Sequence, residues 1–267
     1  MKITTEPIWL APGEACDLVL DATEPARVEE TARAVMRGAG VDVLIQPVAG
    51  RRKRLLVADL EATIIENEML DELAGFLGLR PQVSEITRRA MNGEIDFASA
   101  LEARVALLAG MEERVLEEAC RRMRLTSGAH ALVATMRRDG AATALVSGGF
   151  AIFAERVAAK LGFDRVVANQ LDLADGRIAG TVRLPIVNRR TKRETLLALA
   201  AELGISPAHT MAVGDGANDL PMLAAAGIGI AFHAKPSVAA AARWRLDHAD
   251  LTALLYAQGY RKEEIVR

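Results

Sequence analysis

An α/β core on a doubly wound parallel sheet follows from two features of this 267-residue chain. Short apolar runs alternate with Ala- and Leu-rich stretches of helical length, the pattern left by β-α-β crossovers. Three of those runs end in polar clusters, and open α/β sheets bind ligands beyond the C-terminal ends of their strands.

Taken in order, residues 1–50 read as a separate unit. A strand at 16–20, an Ala-rich helix at 25–36 and a second strand at 41–46 make one βαβ unit. It is too small to bury a core alone and must pack on something larger. The basic run 51–54 reads as a linker into the next segment. Residues 55–60 are apolar and end in acids, which suits a buried parallel strand. The stretch 66–128 is helical in character and reads as a cap inserted into a core made of 51–65 and 129–267. Further strands are predicted at 142–146, 165–168, 210–213 and 227–232. Between 169 and 183 short alternating runs flank Asp175-Gly176, a β-hairpin signal.

Composition narrows the partners. Lys and Arg total 33 against 35 Asp and Glu, a formal charge of -2, which argues against a nucleic-acid binder. No stretch reaches the roughly 18 apolar residues of a membrane span. The start of the chain has no apolar run of signal-peptide type, so a cytoplasmic location is expected. Cys16 and Cys120 have neither a CxxC partner nor a His at metal spacing, and read as reduced thiols.

The chemistry gathers at three strand ends: Asp59-Leu60-Glu61-Ala62-Thr63, Ser147-Gly148-Gly149, and Gly214-Asp215-Gly216-Ala217-Asn218-Asp219. Phosphoryl chemistry needs a nucleophile, a cation to offset charge and a proton donor for the leaving oxygen. Asp59 suits the first need, and Asp215 with Asp219 suits Mg²⁺, a hard ion that prefers oxygen ligands. Ser147, the N–H groups of Gly148 and Gly149, and a lysine can hold phosphate oxygens. Each piece has a plainer reading. Acids after a strand often cap a helix, Ser-Gly-Gly is often a turn, and a lysine at a helix start is often solvated.

In their order, DLEAT (59–63), VSGGF (146–150), Lys192 in IVNRRTKRETL and GDGANDLPML (214–223) resemble the haloacid dehalogenase superfamily. Within it they resemble the phosphoserine phosphatase family, from about residue 51 to about residue 257, cap included. The resemblance implies a haloacid-dehalogenase-like core, and a truncated ACT-like regulatory unit at residues 1–50. It implies hydrolysis of O-phospho-L-serine, the last step of serine synthesis, through an aspartyl-phosphate on Asp59, with Glu61 as general acid and base. Mg²⁺ would be held by Asp59, the Glu61 carbonyl, Asp215 and Asp219. Thr63, Ser147, Gly148 and Lys192 would bind the phosphoryl group. Glu68 would take the substrate ammonium, Arg104 its carboxylate, and Asn218 substrate or phosphate. Met91 and Phe97 would close over the site. A homodimer is left open.

Residue pattern alone supports some of this. Phe97, Leu101, Arg104 and Leu108 share one helical face, so Arg104 needs a partner or a ligand there. A structural ion pair with a cap acid is the alternative. Glu68 also suits an acidic first helical turn, and Met91 and Phe97 also suit a core. One departure stands out: the family's first motif is normally D-x-D-S-T, and here the second acid is Glu61, followed by Ala62. A phosphotransferase group related to the family carries Glu at this place. A phosphotransferase to an amino-acid hydroxyl, or a catalytically weak binder of phosphoserine or serine, are therefore the alternative functions.

Overall fold

The computed structural model describes residues 6–21, 24–91 and 94–267, with Met91 described by its backbone alone. The chain begins with β1 (Ile8–Ala11), β2 (Ala15–Asp17) and α1 (Pro25–Val35), and enters the core as β3 (Leu55–Ala58). A block of helices follows: α2 (Met69–Phe76), α3 (Arg80–Met91), α4 (Phe97–Ala106) and α5 (Glu113–Arg122). The chain then returns through α6 (Ala129–Arg138), β4 (Ala142–Phe150), α7 (Ala151–Leu161), and a hairpin of β5 (Arg165–Ala174) and β6 (Arg177–Arg183). It continues as α8 (Arg189–Glu202), β7 (Thr210–Gly214), α9 (Leu220–Ala225), β8 (Ile228–Phe232), α10 (Pro236–Ala241), β9 (Trp244–Leu246) and α11 (Ala253–Ala257). Among the described residues, no helix is long and apolar enough to cross a membrane.

The main sheet has seven strands in the order β6-β5-β4-β3-β7-β8-β9, all parallel to their neighbours except the β5–β6 pair. β3 reads Leu-Leu-Val-Ala, buried throughout, because helices cover both faces of the sheet. Leu56 and Ala58 join one core cluster with Leu145, Met211 and Val213. Leu55 and Val57 point the other way, into a second cluster with Val146, Ala212, Leu196 and Met222. From β3 the chain steps outward to β4 and β5, then returns to β7 on the other side of β3. That reversal is a topological switch point, where open sheets leave a crevice at the strand ends.

The helical block is not a separate core. Leu101, Val105, Leu108 and Leu116 are buried in the same cluster as Leu145 and Phe150. The β5–β6 hairpin carries the block. Asp175 and Gly176 turn it with φ of 51° and 71°, the doubly left-handed backbone of a tight hairpin. β6 then bonds to the loop after α4, with Ile178 N–H donating to Met111 O at 2.9 Å and Gly110 N–H donating to Ile178 O at 2.8 Å.

The unit expected in residues 1–50 needs correction. β1 and β2 form an antiparallel hairpin rather than the arms of a βαβ unit, and residues 41–46 carry no strand. The physical reason is that residues 41–46 find partners on the core instead of in a sheet. Ile45 O accepts from Trp244 Nε1 at 2.9 Å, and Gln46 donates to Ala257 O at 2.5 Å. The Asp42 carboxylate accepts three N–H groups, from Asp247, His248 and Ala249. β1, flanked by prolines, and β9, three residues long, are too short for alternation to reveal.

Candidate active site

The four sequence elements converge at the switch point. Asp59 leaves the tip of β3, where its N–H donates to Val213 O at 3.0 Å and its carboxylate accepts from Leu60 N–H at 2.7 Å. Beyond it the chain turns sharply, with Ala62 at φ 50°, in the left-handed region that alanine seldom adopts. That turn seats Thr63 in the interior. Its hydroxyl is buried with no hydrogen-bond partner among the described residues, an open donor four residues after Asp59.

Lys192, in the first turn of α8, is wholly buried, which excludes a solvated helix-start lysine. Asn188 caps that helix, accepting from the N–H groups of Arg190 and Thr191 and so fixing where Lys192 emerges. The Lys192 ammonium donates to Asp219 Oδ1 at 2.7 Å and pairs with Asp59 Oδ1 at 2.7 Å. Burial works to lower its pKa, but Asp219 and Asp59 more than offset this and hold it charged. Asp219 is itself buried and also accepts from Gly216 N–H at 3.0 Å.

Asp59, Asp215 and Asp219 each bring a carboxylate oxygen within 4.8 Å of the others. Three acids thus face one ammonium. Burial first, and then Asp219, push the Asp59 carboxyl well up against the pull of Lys192. Burial and Asp219 push half-buried Asp215 up to about 6. An all-oxygen donor set with surplus negative charge fits a hard divalent cation.

Ser147 is buried at the end of β4, and its Oγ accepts from Gly149 N–H at 2.9 Å. Glu61 is held by Met69 N–H, which donates to its carboxylate at 2.9 Å, so an acid of the core caps the first cap helix, α2. Burial pushes the Glu61 carboxyl up, opposed by that bond and by Lys192 and Arg104.

From the cap, Phe97 reaches the core: its Cζ lies 3.2 Å from the place a Cβ on Gly148 would take. Arg104 is half-buried, donates to Ala100 O at 3.1 Å and Thr87 Oγ1 at 3.4 Å, and has no ion pair among the described residues. The alternative of a structural ion pair is therefore not what Arg104 makes. Burial pushes its pKa down, against the pull of Glu61, Asp71 and Glu68. Glu68 stands with its outer side in solvent, yet its carboxyl is pushed up to about 7, first by lost hydration and then by Glu61, Asp215 and Asp71. Asn218 sits half-buried in the loop after β7. The side chain of Met91 lies outside the described residues.

One participant was not legible as such. Asn169, buried in β5, donates to Gly148 O at 2.7 Å and accepts from Val187 N–H at 2.7 Å. It ties the Ser-Gly-Gly turn to the segment that launches α8 and Lys192. Asn169 falls just after the strand predicted at 165–168, at the start of the segment read as a hairpin, and the strand's continuation through it to Ala174 is what would have marked it as a buried polar group.

The fold and the convergence of Asp59, Lys192, Asp215 and Asp219 define a hydrolase of the haloacid dehalogenase type. The haloacid dehalogenase-like hydrolase family matches residues 56–224, and the chain belongs to that family. A Streptomyces coelicolor protein named phosphoserine phosphatase is 40% identical over 91% of this chain and 59% of its own length. A protein of the same name from Idiomarina loihiensis is 46% identical over 75% of this chain and 91% of its own. A solved substrate-bound phosphoserine phosphatase complex superposes with a TM-score of 0.72 at 36% identity, covering 77% of this chain and 98% of that one. The chain spans between 56% and 64% of the length of four curated relatives.

Proposed function

We propose that this chain hydrolyses O-phospho-L-serine through an aspartyl-phosphate on Asp59. The observation that carries the reading is the placement of Asp59 at a strand tip, paired at 2.7 Å with a buried lysine that also binds Asp219. The names of relatives that are 40% and 46% identical to it over the matched residues support the substrate.

In the first step an Asp59 oxygen attacks phosphorus. The bond to the serine oxygen breaks, and Glu61 gives that oxygen its proton. In the second, water attacks phosphorus, Glu61 takes back a proton, and the bond to Asp59 breaks. Lys192, Ser147, the Gly148 N–H and the free hydroxyl of Thr63 hold the phosphoryl oxygens. We place Mg²⁺ among Asp59, Asp215, Asp219 and the Glu61 carbonyl. That ion, when bound, supplies charge neutralisation for the transferring group. Arg104, with no acid partner among the described residues, takes the substrate carboxylate, Glu68 its ammonium, and Asn218 contacts substrate or phosphate. Phe97 and Met91 close the cap. The setting is the cytoplasm, where Cys16 and Cys120 stay reduced.

Substrate choice is tested at Arg104. Losing a desolvated Arg–carboxylate contact costs roughly 2–5 kcal/mol. Arg104→Ala should therefore cut kcat/KM for O-phospho-L-serine far more than for p-nitrophenyl phosphate, which has no carboxylate. Equal losses on both esters would remove Arg104 from substrate selection.

A further inference from the structure

The first motif carries a longer acid than its family's usual Asp, and the structure shows where the extra length goes. A Cβ built on Gly149 would lie 2.8 Å from Glu61 Oε2, 2.9 Å from Cδ and 3.0 Å from Oε1. All three distances are at or inside the limit that real Cβ atoms keep. The Glu61 carboxylate thus lies on the bare Cα of Gly149. A retreat would break the bond in which the Met69 N–H of α2 holds Oε1 at 2.9 Å. Gly149 is not needed for its conformational freedom, since its φ lies outside the left-handed region. Nor does its N–H require glycine: any residue but proline would donate to Ser147 Oγ as well.

We propose that Gly149 is a positioning residue for Glu61: its missing side chain leaves the volume the longer acid occupies and so holds the general acid in line with the leaving oxygen. This rests on the proposed role of Glu61 as acid and base. A methyl group at position 149 displaces the carboxylate from Met69 and from the reacting oxygen. An Asp at position 61, shorter by one methylene, leaves that volume empty. Position 149 therefore discriminates against a side chain only while Glu stands at 61.

The test is a cycle of Gly149→Ala, Glu61→Asp and the double variant, read on O-phospho-L-serine, on p-nitrophenyl phosphate and by hydrogen exchange at the Met69 amide. General acid catalysis is worth roughly 10²–10⁴-fold, so Gly149→Ala should lower kcat on phosphoserine by about that range. It should slow phosphoenzyme formation from p-nitrophenyl phosphate, read as the single-turnover burst of nitrophenolate, much less, because a phenolate leaves without a proton. Exchange at the Met69 amide should quicken in Gly149→Ala. In the Glu61→Asp background the same Gly149→Ala change should cost little, a coupling of roughly tenfold or more between contacting residues. Equal losses from Gly149→Ala in both backgrounds, or unchanged Met69 exchange, would overturn the proposal. So would a Gly149→Ala chain that fails to fold in both backgrounds, since the clash would then not be with Glu61. Wild-type inactivity on phosphoserine would defeat the proposed substrate, while the Met69 exchange and p-nitrophenyl phosphate arms would still judge Gly149.

Discussion

Lys192 is the most exacting single residue of the site. Its ammonium is wholly buried between two carboxylates at 2.7 Å each. Removing one member of a buried ion cluster leaves the others uncompensated and typically costs roughly 3–5 kcal/mol. Lys192→Ala should lose about that much stability in urea unfolding, and the loss should shrink in acid as Asp59, whose carboxyl burial already pushes up, takes up a proton. Unfolding identical to the native chain at neutral pH would show that the cluster does not hold the core together. Glu68 supplies a second prediction. Its folded pKa of about 7 lies above the ordinary 4.5, so the folded chain takes up a proton between those values. Stability contributed by Glu68 therefore falls as pH rises from 4.5 toward 7. The ammonium of the substrate needs the ionised form. Hence kcat/KM on O-phospho-L-serine, taken relative to p-nitrophenyl phosphate, should rise through a pH of about 7, and Glu68→Gln should flatten the rise. A ratio that is already flat in the native enzyme would contradict the assignment.

At the scale of elements, the site depends on loops that are fixed by partners distant in sequence. Asn169 is the clearest case: from β5 it bonds both Gly148, near the end of β4, and the segment before α8. Asn169→Ala should leave Val187 N–H and Gly148 O short of a partner, at a cost of roughly 1–3 kcal/mol. It should also weaken binding of inorganic phosphate, measured as product inhibition, since Gly148 and Lys192 shift apart. Intact phosphate affinity with lowered stability would confine Asn169 to a structural role. The strands were legible because burial on both faces leaves continuous apolar runs such as Leu-Leu-Val-Ala. The hairpin was legible because Asp175-Gly176 has a backbone few other pairs adopt. Residues 41–46 were misread for the same reason in reverse. An apolar run reports burial, and here burial comes from lying against Trp244 and α11 without a strand partner.

At the scale of the molecule, one sheet brings together acids and a lysine that lie as far apart in the chain as Asp59 and Asp219. Their order was legible because the four pieces together match one family's pattern, although each alone has a plainer use at a strand end. The partners of Arg104, the load on Glu61 and the role of Asn169 were not, because each depends on which helix lies across which strand. Helices α2–α5 share their core with the sheet, and Phe97 Cζ lies 3.2 Å from the place of a Cβ on Gly148, so the packing of that helical block fixes how near Phe97 stands to the site. The central claim is that Asp59 carries the phosphoryl group. Its most direct test is acid quenching of the native chain during turnover of O-phospho-L-serine with Mg²⁺, followed by mass spectrometry of the peptides. The account predicts an added phosphoryl group on Asp59, and neither that adduct nor phosphate release in Asp59→Asn. Label on a different residue, or near-native phosphate release by Asp59→Asn, would contradict it.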